Sequence, residues 1–246
     1  MKRGILDGKV IIVTGGSGLL GAAFINDIVD EGGIAINADV NGGNGEFIYT
    51  DITKNESIDE LLKVVVEKYG KIDGIVNNAY PRTKDWGTTF EDISFESWRN
   101  NFDFQLNSYF YFTQKVLKYM NKSEIKGSIV NIASIYGVVG NDFSLYENLE
   151  MNPPAAYSAI KGGLINLSRY LASLYGKNGI RVNCVSPGGI FDHQPKEFVK
   201  RYEDKVPMKR MGAPIDIAPL TSFLLSEKSA YLTGQNICID GGWTAI

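Results

Sequence analysis

Cysteine is almost missing from this sequence of 246 residues: Cys184 and Cys238 are the only two. They lie far apart and outside any C-x-x-C spacing, which excludes a disulfide-stapled scaffold and a cysteine zinc site. Histidine is scarcer still. His193 stands alone, with no nearby cysteine, no H-E-x-x-H pattern and no clustered carboxylates, so no metal site is expected. Long apolar runs are lacking as well; the longest extend over a few residues, far short of the ~20 that a membrane-spanning helix needs. Residues 1–8 do not contain the apolar stretch of a secretory leader. Positive charge shows no excess, with 25 Lys and Arg against 28 Asp and Glu, which argues against a nucleic-acid binder. A G-x-S-x-G hydrolase elbow is absent too. No repeat, low-complexity tract or Pro/Ser-rich linker divides the chain. These absences leave a soluble, cytoplasmic protein of one domain.

What the sequence does hold is a large core. Hydrophobic residues make up 44% of it, and a chain of this size should bury roughly 70% of its extended surface on folding. Short apolar runs at residues 10–13, 34–38, 47–49, 72–76, 128–132, 180–185 and 236–239 read as strands. They are near-continuous rather than alternating, which suits parallel strands covered on both faces. Between Asp51 and Ile72 the helix signal is explicit. Thr53 and Glu56 have capping-box spacing, Ile58, Leu61, Leu62, Val65 and Tyr69 form one stripe, and Gly70 can end it. Strand and helix alternating in this way predict an α/β protein with a doubly wound parallel sheet. Residues 102–120 differ, because Phe102, Phe104, Tyr109, Phe110, Tyr111, Phe112 and Tyr119 spread around the helix. Residues 155–175 are similarly apolar. Such helices are buried on more than one side, so their outward sides are expected to meet a second copy of the chain.

Directly after the first strand comes Thr14-Gly15-Gly16-Ser17-Gly18-Leu19-Leu20-Gly21. From Gly16 it reads G-x-G-x-x-G, whose glycines permit a tight turn, close approach of backbone to a pyrophosphate, and close helix–strand packing. The first N–H groups of the following helix would then face the phosphates. Asp39 closes the second strand, 18 residues after Gly21. Its carboxylate suits a ribose diol and would repel a 2′-phosphate, so NAD is expected over NADP.

In this setting the residues resemble the short-chain dehydrogenase/reductase family over essentially the whole chain. The resemblance rests on the glycine turn, Asp51, Asn77-Asn78-Ala79, Asn107, Ser134 and the Y-x-x-x-K of Tyr157 and Lys161. Arg181-Val182-Asn183-Cys184-Val185-Ser186-Pro187-Gly188, Leu232-Thr233-Gly234-Gln235 and Asp240-Gly241-Gly242 follow in the same order. It implies a three-layer Rossmann fold with a mostly parallel seven-stranded sheet. It also implies cofactor contacts: Asp51 and Ile52 at the adenine, Asn78 with Ala79 on the adenosine side, and Tyr157 and Lys161 at the nicotinamide ribose. Ile190 would meet the carboxamide through its backbone, and Pro187 and Gly188 would also bind the cofactor. Three positions depart from the family pattern: Leu19 with the early Gly18, Tyr80 where Gly is usual, and Asp192 where Thr often follows Pro-Gly. The glycine spacing is similar to that of sugar-nucleotide epimerases, so an epimerase-like enzyme stands as an alternative, and a non-catalytic dinucleotide-binding scaffold as another.

By the same resemblance Asn107, Ser134, Tyr157 and Lys161 are catalytic. Tyr157 and Lys161, four apart, share one face of a helix. A phenol is a poor acid–base group at neutral pH, and a neighbouring ammonium is expected to lower its pKa. Tyr157 would then exchange a proton with the oxygen of a ketone or secondary alcohol while hydride moves, with Ser134 giving that oxygen a second hydrogen bond. Asn107 would hold a water linking Lys161 to solvent. The patterns around Tyr80-Pro81-Arg82 and Ile190-Phe191-Asp192 are similar to oxidoreductases of flagellin modification and legionaminic-type sugar synthesis, which implies a polar or anionic carbohydrate, or a sugar phosphate, as substrate. Tyr157 follows Ser134 by 23 positions, about ten more than is usual in the family; the extra residues, 140–154, are expected to wall the substrate pocket. Residues 190–212 would form the family's flap. Its Lys196, Lys200, Arg201, Lys205, Lys209 and Arg210, together with Arg82, are expected to favour an anion. A homodimer or tetramer is the implied assembly.

Overall fold

The computed structural model describes residues 4–246, so the reading of the chain start as leaderless lies partly outside the described residues. Seven strands form one sheet: β1 (Val10–Thr14), β2 (Ile34–Asp39), β3 (Glu46–Tyr49), β4 (Gly74–Asn77), β5 (Ser128–Ile132), β6 (Arg181–Pro187) and β7 (Asn236–Ile239). Their order is β3-β2-β1-β4-β5-β6-β7, and every pairing is parallel. The doubly wound sheet of the sequence reading is therefore present. β4 starts two residues later than its apolar run suggests. Ile72 is buried, but the Asp73 carboxylate accepts the Val10 N–H at 2.8 Å, a side-chain bond where a ladder bond would otherwise begin.

Helices cover both faces. α1 (Leu19–Asp30) packs one side, and α2 (Asn55–Tyr69) packs the other. On the α2 side Ile58, Leu61 and Val65 join Val10, Ile12, Ile75 and Ile129 of the sheet in one buried cluster. On the α1 side Phe24, Ile25 and Ile28 bury against Ile11, Val13, Val76 and Val130. Alternate residues of each strand thus serve opposite layers, which is why the strands had to be apolar throughout. The capping box foreseen for α2 does not form. The helix starts at Asn55, and the Thr53 hydroxyl and N–H both donate to Asp51 Oδ1 at 2.7 and 3.0 Å, because the short Asx turn is the nearer partner. Gly70 does end it.

The aromatic segment is not one regular helix. It comprises α3 (Phe95–Phe102), a π turn over Asp103–Asn107, and α4 (Ser108–Lys122). Tyr109, Phe112, Val116 and Met120 are buried, whereas Phe110 is about half exposed. The long α5 (Ala155–Tyr175) lies on the same side, followed by α6 (Lys196–Lys205) and α7 (Pro214–Leu225), the last packing on α1. None of the helices among the described residues is long and apolar enough to cross a membrane. Because β1 pairs with β2 on one side and β4 on the other, the chain order switches at β1, and a crevice opens at the strand C-termini there.

Candidate active site

The crevice floor begins with the glycine turn. Gly15 has φ of +65°, which only glycine adopts cheaply, and a Cβ there would meet Ala79 Cα at 2.7 Å. A Cβ on Gly21 would meet Gly15 O at 1.9 Å, so the first turn of α1 can pack on the strand end only with glycine at that position. α1 starts after Gly18 with no side-chain cap and no acidic residue in its first turn. Its free N–H groups therefore carry the positive end of the helix dipole to the crevice. Asn78 fastens the turn from β4: its amide donates to Thr14 O and Gly15 O at 3.1 and 3.0 Å, and its N–H reaches Thr14 Oγ1 at 3.0 Å.

A cavity of about 620 Å³ runs along this floor. Of the expected cofactor residues, Gly15, Gly18, Leu19, Leu20, Asp39, Asn78, Ala79, Tyr157, Lys161, Pro187, Gly188 and Ile190 line it. Asp51 and Ile52 line an adjoining cavity of about 220 Å³ that shares Gly15, Asp39 and Ala79 with the first. Gly16, Ser17 and Gly21 build the turn instead of lining it. A Cβ on Gly16 would strike Asn37 Oδ1 at 2.5 Å, and Ser17 donates its N–H to Asp39 Oδ2 at 3.1 Å and its hydroxyl to Asn41 O at 2.6 Å. The Asp39 carboxylate stands between the two cavities, also accepting the Asn41 N–H at 3.0 Å. An uncapped helix end, a glycine floor and a carboxylate between two linked cavities fit a dinucleotide.

At the other end of the cavity Tyr157 and Lys161 project from the first two turns of α5. Ser134, two residues past β5, acts on Tyr157 in the direction that lowers its pKa, and accepts the Tyr136 N–H at 3.2 Å. Lys161 is 5% exposed, lies 5.4 Å from the centroid of the Tyr157 ring, and donates to Ile132 O at 2.8 Å. The sign of the Tyr157 shift differs from the sequence expectation. Burial pushes the phenol up, and only Ser134 pulls the other way. The same burial pulls Lys161 down to about 8. Desolvation acts against the charged form of both groups.

Burial comes from residues that the sequence reading noted only as a departure or missed. Tyr80 and Trp86 meet the Tyr157 ring edge-on at centroid distances of 5.6 and 6.2 Å, and each other at 5.6 Å. Arg82 lies over Tyr80 at 5.2 Å and, with Asp192 and Gln194, lines the cavity. Trp86 carries no motif; a bulky aromatic nine residues after the strand was its only signal. Asn107 ends the π turn, is exposed, and donates its amide to Asp103 Oδ1 at 2.5 Å. His193 is an exposed loop residue.

Two expectations need correction. The basic flap is not a free cationic surface. Arg210 makes a two-pronged pair with Asp216 at 2.6 and 2.8 Å, Lys205 is paired with Asp142, and Arg201 donates to the backbone carbonyls of Ser144, Leu145 and Glu147. Local partners are simply nearer than the cavity. Residues 140–154 do not line the main cavity either; Asn141, Phe143 and Asn152–Ala155 line a separate groove of about 340 Å³ with Thr88–Glu91.

The sheet, the crevice and the glycine turn define the class, a Rossmann-type α/β protein. Comparisons narrow it. The sequence model of a family described as enoyl-(acyl carrier protein) reductase matches residues 22–244. Post-translational flagellin modification protein A of Campylobacter coli is 35% identical, over 97% of this chain and 99% of that one. The 7α-hydroxysteroid dehydrogenase of Bacteroides fragilis is 32% identical, over 97% and 95%. The crystal structure of a short-chain dehydrogenase from Leptospira borgpetersenii with bound NAD+ superimposes with a TM-score of 0.90 at 34% identity, covering 97% of this chain and 94% of that one. This chain belongs to the short-chain dehydrogenase/reductase family. It is an oxidoreductase.

Proposed function

We propose that the protein is an NAD(H)-dependent oxidoreductase that interconverts a secondary alcohol and a ketone on a polar carbohydrate or sugar phosphate. The observation that carries this reading is that Tyr157, on which Ser134 acts, and Lys161 line the same cavity as the glycine turn. The turn and the start of α1 would hold the pyrophosphate. Asp39 would hold the adenosine ribose, with Asp51, Ile52, Asn78 and Ala79 around the adenosine. Tyr157 and Lys161 would meet the nicotinamide ribose, and Ile190 the carboxamide through its backbone, with Pro187 and Gly188 also binding the cofactor. When bound, the nicotinamide supplies the acceptor or donor of hydride.

The chain's own part is the proton. Tyr157, kept protonated by burial, donates to the carbonyl oxygen during reduction and takes a proton from the hydroxyl during oxidation. Ser134 gives the same oxygen a second hydrogen bond. Lys161 opposes the charge that appears on the phenol, and Asn107, exposed at its π turn, suits the solvent end of a relay to Lys161. The carbohydrate reading is supported by the flagellin-modification relative and by Arg82, Asp192 and Gln194 at the cavity rim. A panel of sugars, sugar phosphates and apolar secondary alcohols with NAD+, followed by the absorbance of the reduced nicotinamide, tests it. Turnover of sugars or sugar phosphates is expected. Turnover of apolar alcohols alone would overturn the substrate class and leave the oxidoreductase intact.

Asp39 sets the expected cofactor choice. NADH should bind at least about tenfold more tightly than NADPH, or about 1.4 kcal/mol, in a fluorescence titration. Asp39→Ala should narrow the gap; equal affinities in the native protein would show that Asp39 does not read the ribose. Assembly is expected through the outward sides of α4 and α5, where Phe110, Tyr170 and Leu174 are 48%, 65% and 45% exposed. Light scattering should return a dimer or tetramer, and a mass of 27.1 kDa would contradict it.

A further inference from the structure

Residues 140–154 and α6 are built into each other. Leu145 is fully buried among Phe198, Tyr202, Val206 and Met211, a small core separate from those of the sheet. Tyr146 lies against Phe198 at a ring distance of 5.3 Å, and Tyr202 stacks on Trp243 at 4.7 Å. Arg201 crosses from α6 to the insertion, donating to Glu147 O at 2.6 Å, Leu145 O at 3.3 Å and Ser144 O at 3.4 Å. Lys205 adds a bond to Ser144 Oγ at 2.6 Å beside its pair with Asp142.

This body borders the site on two sides. The Tyr146 phenol bears electrostatically on the Tyr136 phenol, and the Tyr136 N–H donates to Ser134 Oγ at 3.2 Å. On the other side, the Tyr202 hydroxyl accepts the Gly189 N–H at 2.7 Å, next to the cavity residues Gly188 and Ile190. Ser158, adjacent to Tyr157, donates to Asn141 Oδ1 at 2.8 Å. The insertion is therefore joined to α6, to the turn after β5 and to the start of α5.

We propose that Arg201 is a positioning residue: it makes the insertion and α6 one body, which fixes the substrate side of the site before any ligand arrives. A guanidinium reaching three carbonyls of one short turn does what a free flap cannot, since it satisfies acceptors that have no helix or sheet to pair with. The role assigned to the site rests on the reading of Ser134 and Tyr157 above; the existence of the single body does not.

Hydrogen–deuterium exchange of the full chain without ligand tests the body directly. In the native protein residues 143–149 and 198–206 should exchange at similar slow rates. Arg201→Ala should speed both segments together by at least about tenfold, with the strands β1, β4 and β5 unchanged, and Arg201→Lys should restore part of the protection. Acceleration of the insertion alone, of neither segment, or equally of the whole sheet would overturn the proposal. A kinetic arm uses NADH and a substrate from the sugar panel. Arg201→Ala should raise the substrate KM by about tenfold while kcat and the NADH Kd stay within about twofold. Coupled exchange with an unmoved KM would refute the positioning role but leave the oxidoreductase reading standing. Failure of the panel itself would bear on that reading and leave the exchange result valid.

Discussion

Replacing Tyr157 with Phe should lower kcat about a thousandfold, within the usual range for removing a proton-transfer group. The ring would stay in place, because its edge contacts with Tyr80 and Trp86 do not use the hydroxyl. Lost would be the proton and the influence of Ser134 on it. NADH affinity should therefore change by less than about tenfold, the worth of one neutral hydrogen bond. The melting temperature should hardly move. Stopped-flow turnover of a panel substrate, with NADH fluorescence as the binding control, separates these effects. If Tyr157→Phe kept more than a tenth of native kcat, the proton would have to pass through another group.

Lys161→Met should give the opposite pairing of outcomes, an inactive protein that is more stable. Lys161 is 5% exposed and its pKa falls to about 8 because burial disfavours the ammonium. The free energy involved is about 3 kcal/mol against an ordinary lysine. The direction with pH is as follows. Between about 8 and the ordinary lysine value of about 10.4, the unfolded chain binds more protons at this site than the native one, so stability rises with pH across that window. Below pH 8 the buried charge is a full cost. Methionine, of similar length, removes that cost but leaves Ile132 O without its donor, so part of the gain is offset. A rise in melting temperature of about 2–6 °C at pH 7, shrinking above pH 9, is expected by calorimetry. Activity should fall by at least about a hundredfold. A variant that melted lower at pH 7 and kept its rate would mean that Lys161 is held as a neutral structural group.

Much of this design can be read without the fold, and the reason differs by residue. The seven strands and their alternation with helices follow from local apolar runs, and all seven runs begin and end within two residues of the observed strands. The turn at Gly15–Gly21 is legible because only a few residue types tolerate a φ of +65° or a backbone contact of 1.9 Å. Tyr157 and Lys161 announce their shared face by spacing alone.

Other properties depend on neighbours distant in sequence. Whether Tyr157 is pushed up or down depends on Tyr80 and Trp86, which lie some seventy residues earlier in the chain. Desolvation is a property of the packed environment, and no local spacing encodes it. The basic residues of the flap look alike in sequence; only the fold shows Arg210 paired with Asp216 and Arg201 committed to the carbonyls at 144–147, leaving Arg82 to line the cavity. The insertion too is recognisable by length, but its partner is not. Leu145 found α6 rather than the main cavity because burial against Phe198 and Tyr202 removes apolar surface from water on both sides. Sequence by itself determined the sheet, the glycine turn and the shared helix face of Tyr157 and Lys161, since these rest on periodicity and backbone sterics within short spans. Tertiary structure alone decided the direction in which burial shifts those two groups and the partners of the charged flap, because both depend on which distant atoms exclude water and which arrive first.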